Sequence, residues 1–189
     1  MSGARILRAA GVLSLVAGGV LAGYLARPVL AAAPANAAAG SPPLVALAAQ
    51  QVGVRRCLPA INAVAQRGVA GATMQDIVIN WDHDSPDGSP FFSLTGLGAG
   101  ERRAALSITT IPTAKGGCSV LVERVSSSAA TCKTVAERQL GNAVGAPLLD
   151  GILVYRSKER PEETFTLVQN TENCTIIRRQ AAFEWPPRK

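Results

Sequence analysis

The densest set of groups able to do chemistry lies in residues 81–88, Trp-Asp-His-Asp-Ser-Pro-Asp-Gly. Asp82, Asp84 and Asp87 surround His83, the one histidine of the chain. Carboxylates alternating ahead of a glycine are the material of a calcium loop, in which the glycine makes the sharp turn. Here Asp87 falls one residue late, and no glutamate follows at the distance such a loop needs. His83 is the single imidazole available as a general base, with Asp82 and Asp84 placed to orient it. No Gly-x-Ser-x-Gly turn accompanies it. A small hydrolase or metal-dependent enzyme using Asp82, His83, Asp84 and Asp87 is one reading of this run. A hairpin loop is the other, and the spacing favours it, because Asp, Ser, Pro and Gly each form turns for backbone reasons. Trp81 and Phe91, on either side of the loop, are then the aromatic contact points at its tip. The glycines at 96, 98 and 100 do not make a dinucleotide loop, since a strand follows where a helix is required. No cofactor is implied.

The four cysteines carry a clearer signal. No pair is spaced Cys-x-x-Cys, which leaves a thioredoxin-type redox site without support. A zinc site would need lone cysteines to converge with the single histidine. An even number in an exported domain reads as two bridges, with three connectivities open. Cys118 and Cys174 each head a run of hydroxyl residue, apolar residues and charge, and each run follows a helical segment that holds another cysteine. This repetition pairs Cys57 with Cys118 and Cys132 with Cys174. A strand leaving Cys118 rises about 3.3 Å per residue, so a helix folding straight back begins about 20 Å away. That exceeds the Cα limit of about 7 Å for bridging Cys118 to Cys132.

Helical spacing runs from Leu44 to Arg67, with Cys57, Ile61 and Val64 on one face. Pro59 either kinks this segment or opens a second helix in its first turn. Thr131 is the expected N-cap of another helix, ending at Gly141. Between and after these lie β-branched or alternating runs at 77–81, 91–95, 104–111, 118–124, 152–155, 165–168 and 174–179. The expected fold is α+β: antiparallel meanders of about seven strands, two helical segments packed on one face, and two disulfides. The chain reads as two similar halves, each a helix followed by a meander and a cysteine-headed strand. Duplication and ordinary recurrence of strand patterns are both open explanations of that likeness.

Arg5 and Arg8 precede an uncharged run, 9–26, closed by Arg27. Positive charge ahead of an apolar run places the N-terminus inside and the remainder across a membrane. Residues 1–26 are expected to be a signal peptide, cut near Ala37–Ala39, or a single-pass anchor. Residues 27–43 are an Ala/Pro-rich linker, and 44–189 form the exported domain. Of the net charge of +6, three arginines belong to the N-terminal segment, which leaves the domain near neutral. Aromatics are 4% of the chain. Scattered arginines and few stacking residues argue against nucleic acid.

A cysteine-stapled antiparallel sheet behind an export segment looks like many bacterial envelope proteins, and this likeness implies no activity. The expectation is a non-enzymatic periplasmic domain, released or held at the inner membrane through residues 9–26. It would bind another envelope protein or a cell-wall component. Inhibition of a cell-wall hydrolase is a third reading, with no motif of its own.

Overall fold

The computed structural model describes residues 42–141, 143–157 and 159–186. The expected export segment and all of the 27–43 linker but its last two positions lie outside the described residues. No helix among the described residues is long and apolar enough to cross a membrane.

The architecture is α+β. Two helices, α1 (Leu44–Gln51) and α2 (Leu58–Gly68), precede strands β1 (Met74–Trp81), β2 (Phe91–Ala99), β3 (Arg102–Pro112) and β4 (Cys118–Ser128). Helix α3 (Cys132–Gln139) then leads into β5 (Ala146–Leu149), β6 (Ile152–Arg156), β7 (Glu163–Gln169) and β8 (Cys174–Trp185). All eight strands form one antiparallel sheet, ordered β1-β2-β3-β4-β8-β7-β6-β5. Each meander thus runs inward, and its last strand meets the other's at the centre, where Glu123 stands opposite Arg179.

One open alternative is decided, and two local features depart from expectation. The segment 44–67 is two helices, because Gly53 takes φ +94° and Pro59 sits in the first turn of α2, where its missing N–H costs nothing. Strand β2 runs through Gly96 and Gly98 to Ala99, since Leu97 supplies another inward apolar residue, and the turn falls at Gly100 with φ +60°. The eighth strand, β5, is a short outer strand containing Pro147. Proline lacks a donor and is tolerated at a sheet edge, so its presence hid the strand.

The three helices of the described residues pack on one face of the sheet. The first core joins Val45, Ala49, Ile61 and Val64 of the helices to Phe91, Leu106, Ile108 and Val120 of the strands. Helix α2 comes so close to β3 that a Cβ on Gly68 would lie 2.7 Å from Leu106 Cδ2. The second core is smaller: Val135 of α3 against Tyr155, Leu167 and Ile176. Among the described residues no counterpart of α1 covers β5 and β6, and Leu149, Leu153 and Tyr155 line an open groove beside α3.

Each core holds one disulfide. Cys57, just before α2, joins Cys118 at the head of β4, with Cα atoms 5.4 Å apart. Cys132, the first residue of α3, joins Cys174 at the head of β8, with Cα atoms 4.9 Å apart. The loops closed span 61 and 42 residues. Restricting the unfolded chain in this way contributes about 2–4 kcal/mol per bridge. Such bridges are compatible with a location outside the cytoplasm.

Candidate functional site

The 82–88 loop joins β1 to β2, and its carboxylates are engaged by the chain itself. Asp82 Oδ1 accepts the backbone N–H groups of Asp84 at 3.0 Å and Ser85 at 3.3 Å. Its Oδ2 accepts the Ser89 hydroxyl at 2.8 Å. The Ser89 bond first, then that of Asp84, holds the Asp82 carboxyl below the ordinary range. Asp87 Oδ1 accepts from Arg55 N at 2.7 Å and Arg56 N at 2.6 Å, tying the loop to the connection between α1 and α2. Those two bonds, Arg56's the larger, lower its pKa. His83 stacks on the Trp81 ring with centroids 4.3 Å apart. Asp84 is exposed. Among the described residues no group of three or more His, Cys, Asp and Glu side chains is arranged to hold a metal ion.

The expected aromatic tip needs correction. Phe91 is 1% exposed and belongs to the first core. Strand alternation decides this: Phe91 faces the helices and its neighbour Phe92 faces away. Trp81 is half-buried and packs against the same core.

Two features on the sheet itself were not visible in the sequence. The first is a polar seam on the covered face, between the two cores. Following β4, the inward positions pass from Val120 and Val122 in the first core to Arg124. Opposite Arg124 on β8 is Arg178, and opposite Val122 is Gln180. Arg67 of α2 and Glu163 at the start of β7 complete the seam. Glu163, 2% exposed, accepts from Arg160 Nε at 2.6 Å and from Arg178 Nε. Burial pushes its carboxyl up, but the hydrogen bonds and charges of Arg178 and Arg160 outweigh this and hold it below the ordinary value. The seam joins residues more than a hundred positions apart, so no local pattern marks it.

The second is the other face of the sheet, on which no helix lies among the described residues. Its positions follow from the strand pairs Val78–Leu94, Phe92–Thr109, Ala105–Val125 and Val125–Ile177. Val78, Phe92 and Leu94 are 63%, 46% and 52% exposed and adjoin one another. At its centre Arg179 Nε lies 3.5 Å from Glu123 Oε1. Strands with one bare face normally alternate cleanly between apolar and polar residues; β1 and β2 place apolar residues on both faces.

No family model, curated protein or solved structure matches this chain.

Proposed function

We propose that this is a non-enzymatic binding domain of the bacterial envelope, and that the uncovered sheet face receives another envelope protein. The contiguous patch of Val78, Phe92 and Leu94 carries this reading, since exposed apolar clusters on a folded domain mark association surfaces. Fixed strands and two disulfides give that surface a low ordering cost on binding. The domain works in the periplasm, held at the inner membrane through residues 9–26 or released after cleavage in the 37–39 region. The two meanders are read as copies of one unit. In support, each unit carries a helix whose start is bridged to the head of its last strand, and the strand order is the same read from either edge.

The 82–88 loop is read as structural, because Asp82 and Asp87 already accept protein donors. Neither hydrolysis nor inhibition of a hydrolase has an observation of its own in favour.

Site-specific photo-crosslinking in intact cells tests the proposal. A photoreactive residue replacing Leu94 or Val125 on the bare face is expected to trap one defined envelope polypeptide. The same residue replacing Arg138 on α3 is expected to trap none. Changing Val78, Phe92 and Leu94 together to Thr should abolish the product formed from position 125. Equal products from both faces, or none from the bare face, would end this reading.

A further inference from the structure

The seam on the covered face holds more positive charge than it neutralises. Three guanidinium groups, those of Arg67, Arg124 and Arg178, line it with one carboxylate, that of Glu163, which Arg160 also engages from the turn between β6 and β7. Both oxygens of Glu163 are taken by Arg160 and Arg178. Arg67 donates to Gln180 Oε1 at 3.1 Å. Arg124 is left: its Nε is buried and has no hydrogen-bond partner. Arg178 stands directly across from it on β8, a like-charge pair of the kind that destabilises a sheet. Burial, then Arg178 and Arg102, lowers the Arg124 pKa, which marks its charge as the uncompensated one.

We propose that this notch is a binding site for a single carboxylate group, held by Arg124 and Arg178. It lies on the face opposite the proposed protein contact and stands independently of that reading. Shape and lining select the ligand. The notch offers about 20 Å³, a little beyond the ~10–15 Å³ that one water needs, so it admits one edge of a ligand while the rest stays outside. A planar carboxylate enters edge-on and meets the guanidinium fork with two parallel bonds. Val64, Leu106 and Val122 line the notch, so the carbon next to the carboxylate meets apolar surface. An aliphatic acid and the C-terminus of a peptide share this chemistry.

The test uses the protein with both disulfides formed. Thermal unfolding is followed in acetate, chloride, sulfate and phosphate at equal ionic strength. It is repeated with acetyl-Gly-Ala bearing a free or an amidated terminus. Acetate is expected to raise Tm saturably, by roughly 5–10 °C at a hundredfold excess over Kd. The free peptide should do the same and the amidated one should not. Tighter binding of the peptide than of acetate assigns the source to a chain terminus, and the reverse order assigns it to a small acid. Line broadening of ¹³C-acetate is a readout independent of stability. It should appear in the wild type and in Arg138→Gln, and vanish in Arg124→Gln. Equal stabilisation by sulfate and acetate, or broadening that survives in Arg124→Gln, would overturn the proposal.

Discussion

Removing Glu163 should expose how strongly the seam depends on one carboxylate. Glu163→Gln keeps the shape and deletes the charge that Arg160 and Arg178 share. Breaking a buried ion pair by deleting one partner costs about 3–5 kcal/mol, because the surviving charge is left uncompensated. The Arg160 and Arg178 side chains are 41% and 30% exposed. Water therefore screens part of their charge, and the low end, about 3 kcal/mol, applies. In a domain of this size that corresponds to a fall in Tm of roughly 6–12 °C at pH 7. The pH dependence fixes the sign. The folded carboxyl titrates below its ordinary value of 4.5. Its contribution is therefore fully present above the unfolded pKa and is lost as pH falls through the folded one. The gap between wild type and Glu163→Gln should be widest at neutral pH and close in acid. Thermal melts of both proteins from pH 7 to pH 3 measure it. A gap below about 1 kcal/mol at pH 7, or one that stays constant into acid, would refute the electrostatic account of the seam.

Two further outcomes follow from the same structure. Thr110 is fully buried with no partner for its hydroxyl; Thr110→Val removes an unsatisfied polar group from a strand, and denaturant unfolding should find the protein more stable by about 1 kcal/mol. Asp87→Ala deletes the acceptor of two backbone donors and should cost about 1–2 kcal/mol. If Asp87 is structural, millimolar calcium or zinc should leave the Tm of both wild type and variant unchanged; a metal-dependent rise confined to the wild type would restore the 82–88 loop as a metal site.

Much of the covalent and secondary framework was legible because it is local. Alternating runs gave most strands, and Pro59 offered its two alternatives, of which the structure takes the second. Cys57 and Cys132 stand at helix starts and Cys118 and Cys174 at strand heads, the pairs drawn from the recurring order of residues. The β5 strand was not legible, because an Ala-Pro-Leu-Leu segment has no strand signal of its own and pairs only where a sheet edge tolerates proline. The extent of β2 was hidden because Gly96 and Gly98 look like a turn until Leu97 is found to be buried.

The sequence by itself determined the helix breaks, which depend on neighbours a few positions apart, and the cysteine pairs, which follow from one residue order recurring in both halves. It could not tell Phe91 from Phe92, because adjacent aromatics leave the strand's phase open until a partner fixes which side faces the helices. Nor could it assemble the seam. Arg67, Arg124, Glu163, Arg178 and Gln180 come from four elements and meet only when β4 pairs with β8. Tertiary structure alone made that juxtaposition: the antiparallel register sets Arg124 against Arg178, and burial first, then the charge of Arg178, lowers the Arg124 pKa.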